Sequence, residues 1–133
     1  MTRVRILLAD DHPAILERLT QLLLPEYEIV QEVRDGKALV EAAAATDPDV
    51  MIVDVSMPVM NGIEAAAQIT RRGGKGRIIF LSVHEDPDFV SAALAAGGSG
   101  YVSKSRMTGD LRKAIQQALK GKRFVSSSAA SSE

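Results

Sequence analysis

The sequence predicts a single α/β domain built on a doubly wound parallel sheet, and three observations carry that expectation. Five apolar runs that suit buried strands lie near residues 4–9, 28–33, 50–54, 77–82 and 100–103, and each is followed by a segment with helical spacing. Two of these runs finish in acids: Ile6-Leu7-Leu8-Ala9 leads into Asp10 and Asp11, and Val50-Met51-Ile52-Val53 into Asp54. Charge at the end of a buried strand belongs at the carboxyl edge of an open α/β sheet, where such sheets place their ligands. The chain also has 133 residues and 46% hydrophobic composition, enough for one core and too little for two domains of ordinary size.

The first helix starts at Pro13, a favoured first-turn residue, presents Ile15, Leu16, Leu19, Leu22 and Leu23 at helical spacing and stops before Pro25. The second runs from about Gly36 to Ala45, and Asp47-Pro48-Asp49 turns the chain into the third strand. The third, about Gly62 to Arg72, has Asn61 as its N-cap and Gly73-Gly74 as its stop. Alanine-rich residues 88–96 make the fourth, between Asp86-Pro87 and Gly97-Gly98, and Thr108 caps a fifth that Gly121 ends. The domain is expected to cover residues 1–124, with 125–133, rich in serine and alanine, as a flexible linker or tail.

Glu28-Ile29-Val30-Gln31-Glu32-Val33 alternates polar with apolar and Gly100-Tyr101-Val102 is very short; both suit sheet edges. The more continuously apolar strands ending at Ala9, Asp54 and Ser82 belong in the middle, covered on both faces. Right-handed crossovers then give the order 2-1-3-4-5. Strands 1 and 3 flank the point where the winding reverses, so Asp10, Asp11 and Asp54 emerge together on neighbours about 4.8 Å apart.

Composition removes several function classes. Sixteen basic and 17 acidic residues leave a formal charge of -1, without the electrostatic footprint a nucleic-acid-binding domain needs. The absence of cysteine rules out disulfides, thiolate metal sites and a thiol nucleophile and fits a cytoplasmic protein. No stretch approaches the ~20 apolar residues of a membrane span, and no signal peptide is visible.

Three carboxylates in one crevice repel unless a hard cation bridges them, and an oxygen-rich site without cysteine favours Mg²⁺ or Mn²⁺. Asp11 and Asp54 are the candidate direct ligands, with the backbone carbonyl of Ser56 as a third oxygen and Asp10 orienting metal-bound water. Lys104, after the last strand, can reach across the sheet edge toward Asp54. Carboxylates form aspartyl-phosphates as nucleophiles, and Mg²⁺ and a lysine stabilise the oxygens of a transferring phosphoryl group. Asp54 lies between the other groups and is the natural nucleophile. Ser82, ending the fourth strand, could donate to a phosphoryl oxygen, although a turn cap explains it as well. Tyr101 reads first as packing, and His12 and His84 as loop residues at the same edge.

Asp10-Asp11, Asp54, Ser82, Tyr101 and Lys104, with Met57-Pro58 and Asn61-Gly62 after the nucleophile, together resemble a two-component response-regulator receiver domain over about residues 3–122. LLADDHPAILERL, MPVMNGIEAA and GKRFVS resemble more closely the receivers that precede a LuxR-type helix-turn-helix, the NarL/FixJ group. The resemblance implies a flavodoxin-like (βα)₅ fold, Mg²⁺-dependent phosphorylation of Asp54 by a partner histidine kinase, and slow self-dephosphorylation rather than turnover as an enzyme. It implies that Ser82 and Tyr101 are a coupled switch pair acting on the face made by the fourth helix, fifth strand and fifth helix. Ser56 and His84 would tune access of water to the reacting centre. Transcriptional output would run through a DNA-binding domain absent from this sequence, with possible homodimerisation on phosphorylation. One departure concerns the bond after the lysine: many receivers have proline there, whereas Ser105 follows Lys104, leaving a costly non-proline cis peptide or a trans one.

Other readings compete. A phosphorylation-independent interaction module of the same fold shares every element. A Mg²⁺-dependent phosphatase of the haloacid-dehalogenase type needs a second acid two residues after the nucleophile, where Ser56 stands. A flavodoxin needs hydroxyls or glycines in the first loop, where Asp10-Asp11-His12-Pro13 is acidic.

Overall fold

A computed structural model describes residues 3–126. Strands β1 (Arg5–Ala9), β2 (Glu28–Val33), β3 (Val50–Asp54), β4 (Arg77–Ser82), β5 (Gly98–Ser103) and β6 (Phe124–Val125) alternate with helices α1 (Pro13–Leu23), α2 (Gly36–Thr46), α3 (Gly62–Arg71), α4 (Pro87–Ala95) and α5 (Met107–Leu119). A 3₁₀ turn, Lys104–Arg106, joins β5 to α5. All strand pairs are parallel, in the order β2-β1-β3-β4-β5-β6.

Alternation along the strands divides the core in two. Leu7, Met51, Val53, Ile78 and Phe80 face α2, α3 and α4, where they meet Leu39, Val40, Ala65, Ile69 and Val90. Ile6, Leu8, Val50, Ile52, Ile79 and Leu81 face the other way, onto Leu16, Leu19 and Leu23 of α1 and Leu111 and Ile115 of α5. Residues of both sets are essentially inaccessible to solvent, as expected of central parallel strands covered on both faces. Each of α2, α3 and α4 has an acceptor side chain at its N-cap: Asp35, Asn61 and Asp86. Asn61 and Glu64 close a reciprocal capping box that fixes where α3 leaves the site loop.

Three sequence expectations are corrected. Strand 5 is not the sheet edge, because Gly100 and Tyr101 pair with Phe124 and Val125 of β6. The ordered domain therefore passes residue 124: Val125 lies in the sheet and Ser126 is fully buried, while 127–133, the rest of the expected tail, lie outside the described residues. Thr108 does not cap α5, which follows directly from the 3₁₀ turn with Arg106 at its N-cap; the Thr108 hydroxyl instead accepts from the Arg18 guanidinium of α1. The Lys104–Ser105 peptide is trans.

Candidate functional site

The register brings the acids together. Ala9 pairs with Val53, so the residues just beyond, Asp10 and Asp54, leave neighbouring strand ends side by side. Asp10 and Asp54 are buried, at 0% and 3% exposure, and Asp11 is half-buried above them. Ligand atoms of Asp10, Asp11, His12 and Asp54 all fall within 4.8 Å of one another. Lys104 Nζ lies 3.1 Å from Asp10 Oδ2 and 3.5 Å from Asp54 Oδ1, its side chain only 12% exposed. One ammonium thus sits between two buried carboxylates.

That single cation does not satisfy the cluster. Asp10 Oδ2, Asp11 Oδ1 and Asp54 Oδ2 have no hydrogen-bond donor aligned with them; the Lys104 and His12 approaches to the first two are close in distance but lack hydrogen-bond geometry. Buried acceptors left this way are costly. Burial, then repulsion from Asp10, pushes the Asp54 carboxyl from 3.8 up to about 6, while Lys104 and the Ser56 N–H pull in the opposite direction. A hard divalent cation relieves each of these costs, and an all-oxygen donor set suits Mg²⁺ or Mn²⁺. The residues present therefore fit such an ion, with Asp10, Asp11 and Asp54 as the carboxylates that would hold it.

The other candidates gather at the same edge. The Ser56 N–H donates to Asp54 Oδ1 at 3.3 Å, and its exposed hydroxyl lies 3.4 Å from His84 Nε2. The His84 ring stacks on Phe89, centroids 4.3 Å apart and planes 5° from parallel. Ser82 is fully buried and its Oγ accepts the His84 N–H at 2.9 Å. Tyr101 is equally buried, and its hydroxyl donates to the His84 carbonyl at 2.7 Å; burial raises its pKa. The open question about Tyr101 is thus answered by an inward ring, and the Ser82 and Tyr101 side chains meet on the two peptide groups of one residue, His84.

Sequence reasoning undervalued His12. Its side chain is 62% exposed, yet Nδ1 lies 3.0 Å from Asp10 Oδ1 and 3.2 Å from Asp11 Oδ1, and its N–H also donates to Asp10. Adjacency to two acids was the available signal. Ser103, Glu85 and Ser126, which link the end of β5 to its surroundings, carried no signal at all, being ordinary polar residues in sequence.

A family model for the response regulator receiver domain matches residues 6–116. The nitrate/nitrite response regulator protein NarL of Escherichia coli K12 is 37% identical over 123 residues, covering 91% of this chain and 57% of that protein. The transcriptional regulatory protein LiaR of Bacillus subtilis is 36% identical, over 89% of this chain and 57% of that protein. This chain spans a little over half the length of these relatives. Among solved structures, a LuxR-family two-component response regulator from Aurantimonas sp. SI85-9A1 superposes with a TM-score of 0.90 at 36% identity, over 98% of this chain and 94% of that one. The signal receiver domain of the putative response regulator NarL of Mycobacterium tuberculosis gives 0.86 at 31% identity, over 92% and 100%. Flavodoxin-like topology, acid cluster and these likenesses agree, and the chain belongs to the response-regulator receiver domains, in their NarL/LuxR-type group.

Proposed function

We propose that this receiver is a phosphoacceptor: a partner histidine kinase transfers a phosphoryl group to Asp54, with Mg²⁺, or Mn²⁺ in its place, as cofactor. The observation that carries this reading is Asp54 Oδ2, a buried carboxylate oxygen without a donor, beside one ammonium and two further acids. An Asp54 oxygen lone pair forms the new bond to phosphorus as the bond to the phosphohistidine nitrogen breaks, its electron pair returning to the imidazole. Lys104 Nζ, already 3.5 Å from Asp54 Oδ1, meets negative charge spreading over the phosphoryl oxygens. Asp10, Asp11, Asp54 and the Ser56 carbonyl would hold the divalent ion, which when bound would supply further positive charge to the same oxygens. The transfer is stoichiometric, and slow hydrolysis of the acyl phosphate resets the domain.

The added charge of about -1.5 to -2 draws the Ser82 hydroxyl from the His84 N–H toward the phosphoryl group. Loss of that bond leaves the Tyr101 hydroxyl as the side-chain hydrogen bond that still holds the His84 backbone, and the face of α4, β5 and α5 shifts between pre-existing states. A LuxR-type helix-turn-helix outside this sequence would convert that shift into control of transcription, with homodimerisation on phosphorylation. RcsB, at 31% identity, has been described as two dimers bound to two parallel DNAs; DNA contact here would be made through such an output domain alone. Among the described residues no helix is long and apolar enough to cross a membrane, and the reading places the domain in the cytoplasm.

Incubation with acetyl phosphate and Mg²⁺ should add one phosphoryl mass to the intact protein, and Asp54→Asn should abolish the adduct. An adduct that persists in Asp54→Asn overturns the assignment.

A further inference from the structure

We propose that Ser126 and Ser103 are positioning residues for Lys104, so that the segment beyond the fifth helix takes part in the chemistry of Asp54. The inference rests on the phosphoacceptor reading. A lysine has a long stem with many rotamers, and a charge stabilises a transferring group only where it is held in place before the reaction. Lys104 Nζ is held at its tip by Asp10 and Asp54. Its root is the end of β5, and the bonds there are unusual.

β6 is only two residues long, so its ladder against β5 stops at Tyr101–Val125. Ser103, 1% exposed and immediately before the lysine, lies beyond the reach of that ladder. The Ser126 side chain takes over: its hydroxyl accepts the Ser103 N–H at 3.0 Å, while the Ser126 N–H donates to the Tyr101 carbonyl at 2.9 Å. The Ser126 hydroxyl has one proton, and it donates it to Asp110 Oδ2 at 2.8 Å. Asp110, itself 6% exposed, also accepts from Arg106 Nε at 3.3 Å. The N–H and the hydroxyl of Ser126 are both used, and they tie the root of Lys104 to the first turn of α5.

The Ser103 hydroxyl ties the same root on the other side. It donates to Glu85 Oε2 at 2.8 Å. With its one proton committed to that carboxylate, it can only accept in its 2.9 Å contact with Ser105 Oγ, so Ser105 is the donor. Ser103 and Ser105 thus bracket Lys104 in the trans-linked turn, anchored to Glu85, the neighbour of His84. Fixing both sides limits where the lysine stem can start, and small misplacements at a reacting centre are expensive in rate.

A double-mutant cycle on the full chain separates positioning from mere support. Ser126→Ala should slow Asp54 phosphorylation by saturating acetyl phosphate and Mg²⁺ about tenfold, and Ser126→Thr, which keeps the hydroxyl, should recover most of the rate. In a Lys104→Ala background, Ser126→Ala should slow the reaction no further; equal slowing in both backgrounds overturns the proposal. In the metal-free protein, Ser126→Ala should also raise hydrogen exchange at the Ser103 amide, and unchanged exchange there counts against it equally. If Ser126→Ala fails to fold, the same cycle with Ser103→Ala, which keeps the backbone bond, decides by the same criterion. Failure of the phosphoacceptor reading looks different: the unaltered protein itself gains no adduct.

Discussion

At the scale of single residues, the site is a deliberate accumulation of unfavourable charge, and its cost can be measured. Folding raises the Asp54 pKa from 3.8 to about 6, so the folded state holds that proton more tightly than the unfolded one. The sign follows: Asp54 costs nothing below about pH 4, and the cost grows as pH rises from the unfolded toward the folded value and is constant above. A shift of this size corresponds to about 3 kcal/mol at full linkage; Lys104 loses one of its two carboxylates on substitution, which reduces the net gain. Asp54→Asn should therefore stabilise the metal-free protein by about 1–2 kcal/mol at pH 7.5, and the gain should vanish toward pH 4 in urea titrations. His84 lies 3.4 Å from Ser56 Oγ and stacks on Phe89, and the proposed phosphoacceptor role would make it a tuner of water access to Asp54. His84→Ala should shorten the acyl-phosphate half-life severalfold, roughly three to ten times, with little change in its rate of formation; an unchanged decay removes that role. The convergence of the acids and Lys104 was legible because residue type and strand-end position together restrict where they can point, whereas Ser82 is seen in the turn-cap setting that its sequence position left open, its Oγ accepting the His84 N–H. The inward setting of Tyr101 was not, since a tyrosine on a short strand fits core and solvent equally.

At the scale of elements, the loop from β3 to α3 aims Asp54 and is held by close backbone contact. A Cβ added at Gly62 would stand 2.1 Å from the Asp54 carbonyl oxygen, and the Gly62 N–H donates to the Val55 carbonyl at 2.8 Å. Nothing in that contact can yield without moving the backbone of the nucleophile. Gly62→Ala should cost about 3 kcal/mol, read from the urea midpoint, and should lower the phosphorylation rate with it; a stability within about 0.5 kcal/mol of the unaltered protein would mean the loop adapts freely. Element positions were largely readable from apolar period, from Pro13, from the Asn61 cap and from the glycines that end helices. The start of α5 was misread because Thr108 has the chemistry of a cap, while the 3₁₀ turn at Lys104–Arg106 already supplies the bend. The Thr108 hydroxyl is used instead across helices, by Arg18.

At the scale of the molecule, a sheet covered on both faces by helices leaves its edges open, and among the described residues the acid cluster and Lys104 gather at the carboxyl edge. The central order 2-1-3-4-5 followed from which strands were apolar throughout. What sequence could not show was the last strand: Phe124-Val125-Ser126 is too short for any period, and its serine continues into a run of serines that reads as linker. Its structure depends on partners far away in the chain, Gly100, Tyr101, Ser103 and Asp110. Phe124 and Val125 are half-buried, and Ser126 makes three hydrogen bonds, to the Tyr101 carbonyl, the Ser103 N–H and Asp110 Oδ2. A chain stopped after residue 123 should therefore be about 2–4 kcal/mol less stable than one stopped after residue 126, with exchange protection lost first along β5. Equal midpoints for the two chains in urea would mean that β6 merely rests on the sheet. A lower midpoint, with Asp54 still phosphorylated but more slowly, would place the boundary of the working domain after Ser126, beyond the last helix, because the strand that carries the lysine needs a neighbour on its outer side.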